Sequence, residues 1–357
     1  MPATSNRTRR AQQTCPTGRR SPESGSCVPQ TLLSLRRAFR RLVKFFLMKP
    51  HRFSEPLRGI VPPVVTPLLD GDTLDSAGLE RVLEHIISGG VRGLFMLGTT
   101  GEAPHLSHRL RREVVERSCQ QAAGRVPVLV GITDTSFVES VELAKHAADC
   151  GADAVVLAPP YYLPLGQPEF QEYLDHLISK VSLPLFLYNF PALTKVTIEP
   201  ETVRRAMDNP RVAGIKDSSG NMIYFKGLTE MARTRPDWTV LIGPEELLSD
   251  AVFAGGHGGV NGGANVFPQL YVALHRAAEA GDLARTRDLQ QRVLKISSAL
   301  YTVGRHPSAI IKGLKCALSC LGLCGDVMAE PFHHFRENER SRVQALLPEL
   351  SALAKVS

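Results

Sequence analysis

The sequence lacks the segments that mark secreted, membrane-spanning and disulfide-rich proteins. No stretch approaches the roughly 18 consecutive apolar residues of a transmembrane helix. The longest uncharged apolar run of the N-terminal region, residues 45–48, is also far shorter than the about 7–15 residues of a signal-peptide core. The seven cysteines are an odd count and include no CxxC pair. We therefore expect a cytoplasmic protein whose thiols are reduced.

An excess of basic charge is absent outside one terminal region. The chain has a formal net charge of +7, yet residues 1–47 hold ten of its 42 Lys and Arg and only one of its 35 acidic residues, Glu23. The remaining 310 residues are left with 32 basic and 34 acidic side chains. Nucleic-acid recognition needs basic residues concentrated on the folded surface, so we expect no nucleic-acid partner.

Residues 1–47 form an extension with its own composition. Residues 1–30 are rich in Ser, Thr, Pro and Arg and have no hydrophobic period, which is typical of disorder. Residues 31–47 place apolar side chains at helical spacing with basic ones between them, which predicts an amphipathic helix suited to an anionic membrane surface. Two readings stay open: a targeting or membrane-binding arm, or a protein whose translation starts at Met48. Mass spectrometry of the native N-terminus separates them.

From Arg58 onward, short apolar runs alternate with amphipathic helical patterns. The predicted strands cover residues 59–66, 93–97, 126–131, 154–157, 185–188, 212–216, 239–242 and 258–261. The predicted helices cover residues 76–88, 108–123, 137–150, 168–180, 200–207, 222–233, 245–253 and 269–280. Apolar runs without polar alternation are typical of parallel strands covered on both faces. The pattern predicts an α/β fold, a (β/α)₈ TIM barrel over residues 48–282, with a doubly wound open sheet as the alternative.

Three further helical patterns follow, at residues 283–303, 309–323 and 338–356, with no strands between them. They predict a C-terminal helical region over residues 283–357, a three-helix appendage. Cys316, Cys320 and Cys324 recur there every four residues and would share one helix face. A tetrahedral metal site would need a fourth ligand, so we interpret these cysteines as apolar packing residues.

In such a barrel the reacting groups lie at the carboxyl ends of the strands. Those ends read GTTGE (98–102), PPYY (159–162), YNFP (188–191), GIKDSSG (214–220), GPEE (243–246) and NGGAN (261–265). Lys216 ends the sixth predicted strand. Burial at that position would disfavour its ammonium form. A neutral amine is the nucleophile that forms a Schiff base with a ketone. The plain alternative is a lysine that reaches solvent from a strand end. Lys195 is the rival nucleophile, although residues 191–197 read as an exposed loop.

Hydroxyl groups cluster around the predicted position of Lys216. Tyr188 ends the neighbouring strand and is a candidate proton shuttle, with Thr99 and Thr100 as hydrogen-bond partners. The glycine-containing segments 98–101 and 262–263 are candidate backbone cradles for a carboxylate, and neither has the spacing of a P-loop. No HExxH motif or His/Asp cluster occurs at the strand ends. We therefore expect neither a metal nor another cofactor.

Together, GTTGE, PPYY, YNFPALT and GIKDSSG, in this order and spacing, resemble the dihydrodipicolinate synthase and N-acetylneuraminate lyase superfamily of Schiff-base pyruvate lyases. The resemblance runs from about Gly59 to the last helix. It implies a (β/α)₈ barrel with a C-terminal helical bundle, usually a homotetramer of tight dimers. It also implies that Lys216 forms an imine with the keto carbon of pyruvate, that Tyr188 shuttles protons and that Thr99 and Thr100 bind the pyruvate carboxylate. Tyr162 would enter the neighbouring subunit's site and complete its relay.

The sequence departs from true dihydrodipicolinate synthases at Leu193. These enzymes carry an arginine there, which pairs with the carboxylate of aspartate semialdehyde, and leucine cannot replace that charge-assisted contact. Glu245 and Glu246 resemble the acidic residues of sialate lyases that contact a polyhydroxy tail; the alternative is that they only favour a helix N-terminus. Gly243 and Gly262, in the same group of loops, complete the substrate-binding residues that we expect.

The resemblance therefore predicts a class I lyase or aldolase. It would reversibly cleave a 2-keto-3-deoxy sugar acid, or a sialate-like keto acid, to pyruvate and an aldehyde. The first alternative is 4-hydroxy-tetrahydrodipicolinate synthase, which condenses pyruvate with aspartate semialdehyde. The second alternative is a non-catalytic barrel that binds a keto acid.

Overall fold

The structure, a computed structural model, describes residues 53–356. The predicted N-terminal extension over residues 1–47, with its amphipathic helix, and Cys15 and Cys27 lie outside the described residues. Within residues 53–356, no helix combines the length and the apolar character needed to cross a bilayer.

In the described part of the chain, eight short strands form one parallel sheet. They are β1 (Gly59–Ile60), β2 (Leu94–Met96), β3 (Val128–Gly131), β4 (Ala154–Leu157), β5 (Leu185–Asn189), β6 (Val212–Asp217), β7 (Thr239–Ile242) and β8 (Gly258–Gly259). Neighbouring strands follow the order β1-β8-β7-β6-β5-β4-β3-β2. The segment after β1 closes the sheet, because the Phe95 amide of β2 donates to Pro62 O and the Val64 amide donates to Phe95 O, each at 2.9 Å. The (β/α)₈ barrel is confirmed and the open doubly wound sheet is wrong.

Strand β1 is much shorter than the predicted strand 59–66. Pro62 and Pro63 have no amide hydrogen, so they cannot continue a regular ladder, and only an isolated bridge between Pro63 and Phe95 remains. Strand β8 is short as well. A Cβ on Gly258 would lie 1.9 Å from Gly59 O, so this closest approach of β1 and β8 requires glycine.

The helices around the barrel agree with the amphipathic patterns to within a few residues, except for the four-residue helix Pro191–Thr194, where the sequence predicts an exposed loop. They are α1 (Ser76–Ser88), α2 (His108–Ala122), α3 (Phe137–Asp149), α4 (Gln167–Lys180), α5 (Pro191–Thr194), α6 (Pro200–Met207), α7 (Met222–Ala232), α8 (Leu248–Phe253) and α9 (Pro268–Glu279). Capping explains two of the starts: Asp75 accepts from the Gly78 amide at 2.8 Å, and Ser107 accepts from the Leu110 amide at 3.2 Å. Three short 3₁₀ segments, Ala103–His105, Glu245–Leu247 and Gly262–Asn265, lie in the loops after β2, β7 and β8.

Two apolar layers stabilise the barrel. The inner layer fills the barrel and includes Phe95, Val156, Phe186 and Leu241, while a larger layer lies between the sheet and the helices. Phe53 belongs to the inner layer and packs its ring edge-on against Phe186, with centroids 5.5 Å apart. The Leu57 amide donates to Thr239 Oγ1 at the start of β7, so this segment covers the amino end of the barrel. A functional site is therefore expected at the other end of the barrel, where the strands have their carboxyl ends.

Three helices follow the barrel: α10 (Leu283–Tyr301), α11 (Ala309–Cys320) and α12 (Glu337–Leu353). They confirm the predicted C-terminal helices. Cys316 and Cys324 are buried in the apolar layer that these helices share with the barrel, and Cys320 packs against it. Burial raises the pKa of the Cys316 and Cys324 thiols to about 12, as expected of packing residues rather than reactive ones.

Candidate active site

Lys216 and Tyr188 lie side by side inside the barrel. The β5–β6 register pairs the two residues directly. The Lys216 Nζ lies 4.0 Å from the centre of the Tyr188 ring and 5.0 Å from that of Phe95. Lys216 is only 6% exposed, and within residues 53–356 no carboxylate forms an ion pair with it. The lysine therefore faces the barrel interior, and the alternative of a lysine reaching bulk water does not fit.

The Tyr188 hydroxyl reaches the loop after β2. Its oxygen lies 3.3 Å from Thr99 Oγ1, within hydrogen-bond distance. The loop must pack closely, because a Cβ on Gly98 would lie 2.7 Å from the Phe95 ring and one on Gly101 would lie 2.9 Å from Val64 O. Thr100 is half-buried beside Thr99 and is not part of the cavity wall described next.

A cavity of about 420 Å³ opens at the carboxyl ends of β2 to β5. Its wall includes Thr99, Tyr188, Tyr162 and Leu193, four of the residues that the sequence singled out. Lys216 is not itself a wall residue; its amine lies against the Tyr188 and Phe95 rings that form part of the wall. The other wall residues are Leu97, Gly98, Ala103, Pro104, His105, Gly131, Thr133, Val156, Ala158, Tyr161, Phe190 and Thr194.

Among the described residues, the cavity wall contains no lysine or arginine. Burial lowers the pKa of His105, its only histidine, so this ring is neutral near pH 7. Arg111 lies next to Tyr161 behind the wall, but Asp134 neutralises it through a bond of 2.7 Å between Arg111 Nη1 and Asp134 Oδ2. The wall is thus apolar with scattered hydroxyls and offers no fixed positive charge.

Tyr162 lies at the rim of the cavity with 96% of its surface exposed in the single chain. Its backbone has a φ of +81°, a left-handed conformation that is unfavourable for a bulky side chain. Tyr188, by contrast, is 7% exposed. Within one chain, the two tyrosines therefore face very different environments.

The segment after β5 differs from the predicted exposed loop. Residues Pro191–Thr194 form a helical turn, and the Thr194 hydroxyl donates to Phe190 O at 3.1 Å. Leu193 lines the cavity from this turn and is half-exposed. The turn ends at Lys195, whose Nζ donates to Ala192 O at 2.7 Å on the outer surface. Lys195, the alternative nucleophile, is thus separated from the contact between Tyr188 and Lys216.

Glu245 lies outside the cavity in a buried cluster of its own. Its carboxylate accepts hydrogen bonds from the Tyr271 hydroxyl at 2.5 Å, the Tyr301 hydroxyl at 2.9 Å and the Gly263 amide at 2.9 Å. Burial, and to a smaller degree the charge of Glu246, raises the pKa of Glu245 to about 7. These contacts join the loop after β7, which carries Glu245, to the loop after β8 and to α9 and α10.

Glu246 is exposed, and Gly243 and Gly262 are half-buried; none of the three lines the cavity. A Cβ on Gly243 would lie 2.0 Å from Ser218 Oγ, which explains the glycine by packing alone. Both glutamates begin the 3₁₀ segment after β7, the position that the helix-start alternative predicts. Their contact with substrate stays a prediction.

Sequence reasoning missed Asp217, the residue next to the candidate nucleophile. Asp217 is fully buried and accepts from Asn189 Nδ2 at 2.8 Å and from the Ser219 hydroxyl at 2.9 Å. Burial raises the pKa of this carboxyl, against the hydrogen bonds and the charge of Lys216 that lower it. The network fixes the end of β6. An Asp followed two residues later by Ser is a local turn signal that could have identified it.

A buried lysine beside a tyrosine at the mouth of a (β/α)₈ barrel is consistent with a class of Schiff-base-forming carbon–carbon lyases. The sequence profile of the dihydrodipicolinate synthetase family matches residues 56–350. The chain belongs to this family and is an enzyme of the carbon–carbon lyase class.

Names of two different enzyme activities occur among the relatives. A probable 2-dehydro-3-deoxy-D-pentonate aldolase of Escherichia coli is 33% identical over 292 residues, which cover 81% of this chain and 96% of the relative. A 4-hydroxy-tetrahydrodipicolinate synthase of Phenylobacterium zucineum is 33% identical over 290 residues, with coverage of 81% and 96%.

Solved structures share the fold over nearly their whole length. A dihydrodipicolinate synthase from Bacteroides thetaiotaomicron is 54% identical, with a TM-score of 0.81 and coverage of 83% of this chain and 100% of that one. A prophage protein of the dihydrodipicolinic acid synthase family from E. coli K12, solved in complex with pyruvate, is 30% identical. Its TM-score is 0.78, with coverage of 82% and 98%.

Proposed function

We propose that this lyase reversibly cleaves a 2-keto-3-deoxy sugar acid, or a sialate-like keto acid, to pyruvate and an aldehyde. The observation that carries the proposal is the contact of the Lys216 amine with the Tyr188 ring, whose hydroxyl reaches Thr99. A buried amine without an ionic partner is suited to act as a nucleophile, and a phenol held by a second hydroxyl is suited to move a proton.

The cleavage begins with an imine. The Lys216 amine attacks the C2 ketone of the substrate, and water leaves. Tyr188 removes the proton of the C4 hydroxyl, the C3–C4 bond breaks, and its electron pair passes through the imine to give an enamine and a free aldehyde. Protonation at C3 and hydrolysis release pyruvate and restore the amine. Thr99 orients the Tyr188 hydroxyl, and Thr99 and Thr100 bind the carboxylate.

The cavity wall favours an uncharged aldehyde over one with its own carboxylate. Leu193 occupies the position at which the synthases of the family carry a carboxylate-binding arginine, and no wall residue supplies another cation. Burying an unpaired carboxylate is costly. Hydroxyl and ring groups such as Thr133 and Tyr161 are suited to sugar hydroxyls instead.

Tyr162 belongs to the proposal as the residue that a second chain donates. In one chain it is almost fully exposed at the cavity rim, although a tyrosine side chain is largely apolar. We infer that tight dimers, paired into a tetramer, bring it into the neighbouring site and complete the proton relay there.

The second candidate function is 4-hydroxy-tetrahydrodipicolinate synthase. It is favoured by the 54% identity to the Bacteroides thetaiotaomicron structure that bears the synthase name. The same imine chemistry would then join pyruvate to aspartate semialdehyde.

A substrate panel separates the two candidates. Pyruvate release from 2-keto-3-deoxy pentonates, hexonates and sialate is measured beside the condensation of pyruvate with aspartate semialdehyde. We expect kcat/KM for the best sugar acid to exceed that for aspartate semialdehyde by about tenfold or more. The reverse ratio identifies the synthase.

A further inference from the structure

A fully buried ion pair connects the loop after β2 to the C-terminal helices. Lys315 of α11 places its Nζ 2.7 Å from Glu102 Oε1, and both side chains are 0% exposed. The second oxygen, Glu102 Oε2, accepts from the Ala329 amide at 2.9 Å. Both oxygens of one carboxylate in the barrel are thus held by the region that follows the barrel.

Stability alone does not account well for this pair. Removing two charges from water is costly, and well-packed apolar residues in such places are often equally stabilising or better. Glu102 also has a φ of +56°, in the left-handed region that residues with a Cβ adopt at a cost. A glutamate kept in this conformation indicates that its carboxylate is needed at this point.

Glu102 is one turn away from the candidate active site. Its amide donates to Thr99 O at 3.0 Å, and the Gly101 amide donates to Gly98 O at 3.1 Å, so residues 98–102 form a tight turn. Thr66 Oγ1 donates to Gly101 O at 2.8 Å and holds the other side of the turn. On this turn, Thr99 presents its hydroxyl to Tyr188 at 3.3 Å.

We propose that Lys315 and Glu102 are positioning residues for the reaction. The pair anchors the turn at Glu102 to α11 and thereby sets the Thr99 hydroxyl at the distance from Tyr188 that the proton relay needs. The inference rests on the proposed roles of Thr99 and Tyr188, and it assigns the C-terminal helices a part in catalysis. Neither Lys315 nor Glu102 touches the substrate.

The test removes both members of the ion pair together and compares the effect on kcat in the wild type and in a Thr99→Val background. Single changes leave a buried charge without a partner and destabilise the fold, so E102Q and K315M are made together. We expect the double variant to lower kcat by about tenfold to a hundredfold, because a small displacement of a catalytic hydroxyl has an effect of that size. In a Thr99→Val background, where the hydroxyl is already absent, the same double change should alter kcat by no more than about twofold.

Arg340→Met is the matched control. Arg340 forms an ion pair with Asp326 at 2.6 Å in the same C-terminal region. Its loss should leave kcat within about twofold of the wild type. If the E102Q/K315M chain does not fold, Glu102→Asp replaces it; the shorter side chain moves the carboxylate away from Lys315 while the charge is retained. Glu102→Asp should also lower kcat in the wild-type background and leave it unchanged in the Thr99→Val background.

Two results overturn the proposal. One is a folded double variant, shown by an unchanged circular dichroism spectrum, whose kcat equals that of the wild type. The other is an equal loss of kcat in both backgrounds, which would mean that the pair acts independently of Thr99. Borohydride trapping of pyruvate on the wild type is run in parallel. A wild type that forms no adduct refutes the proposed function itself, whereas an adduct with either of the two results refutes only the positioning role.

Discussion

Tyr188 and Lys216 are register partners on β5 and β6, and the lysine amine lies over the face of the tyrosine ring, 4.0 Å from its centre. In this arrangement, a substrate whose C2 carbon is bonded to the amine lies close to the phenol that would take the proton of its C4 hydroxyl. The phenol oxygen lies 3.3 Å from Thr99 Oγ1, within hydrogen-bond distance. The proposed nucleophile and base thus both lie on adjacent strands rather than on loops, and sites built on strands hold their geometry more precisely.

Tyr188→Phe should separate imine formation from turnover. The ring and its contact with Lys216 are retained, while the hydroxyl that would move protons is lost. We expect kcat to fall by about 10²–10⁴-fold and the borohydride adduct with pyruvate to form to a similar final yield. Rapid-quench kinetics and mass spectrometry measure the two effects. A variant with wild-type turnover would exclude Tyr188 as the proton shuttle.

Tyr162→Phe tests whether one chain completes its neighbour's site. We expect turnover to fall far more than pyruvate capture; equal losses of both would contradict a relay role. A sharper form co-expresses the Y162F and K216A chains, each inactive alone. A mixed dimer holds one site with an intact Lys216 and a donated Tyr162, so activity should return. Mixed dimers without activity would place Tyr162 in its own chain's site, and a Y162F chain that is fully active alone would place it in none.

Leu193→Arg should shift the preference towards an aldehyde with a carboxylate. The new guanidinium would lie on the cavity wall, and a charge-assisted bond to a carboxylate contributes about 1.5–3 kcal/mol. The ratio of kcat/KM for aspartate semialdehyde to that for the best sugar acid should therefore rise by about tenfold to a hundredfold. Leu193→Met controls for the change of shape. An unchanged ratio in L193R would show that residue 193 does not select the aldehyde.

The stability of the fold should depend on pH through Glu245 and His257 in opposite directions. Burial raises the pKa of Glu245 from 4.5 to about 7, so the folded state holds a proton that the unfolded chain releases, and stability falls by about 3 kcal/mol as pH rises through this window. Burial lowers the pKa of His257 from 6.5 to about 4, so stability is lost as pH falls from 6.5 towards 4.

Glu245→Gln removes the first effect and leaves the second. Urea unfolding between pH 4.5 and 7 should then show a free energy of unfolding that rises with pH more steeply than that of the wild type. Identical slopes for E245Q and the wild type would show that Glu245 titrates normally in the folded state.

The barrel can be predicted from the sequence because its strands and helices are indicated by local patterns of apolar and capping residues. Apolar runs at residues 154–157 and 239–242 and the helix at 76–88 were located to the residue by periodicity and caps. The position of Lys216 opposite Tyr188 followed from the rule that strand ends meet at one edge. The errors also have local causes, such as Pro62 and Pro63 ending β1 early.

The contacts that cross the molecule were not predictable from patterns. Glu102 and Lys315 are 213 positions apart in the sequence, and nothing in the spacing of either motif indicates their partner. The sequence predicts Glu245 as a sugar ligand or as a helix-start residue after β7, and neither hypothesis indicates that Tyr271 and Tyr301 from two later helices bind its carboxylate. A single sequence records which residues are polar but not which distant helix covers them.

The most direct test of the account is borohydride reduction in the presence of pyruvate, followed by peptide mass spectrometry. We expect one reduced pyruvyl adduct, on Lys216, that is absent from Lys216→Ala and retained in Lys195→Ala. The absence of an adduct on the wild type, or an adduct located on another lysine, would contradict the central claim that the buried amine between Tyr188 and Phe95 is the nucleophile.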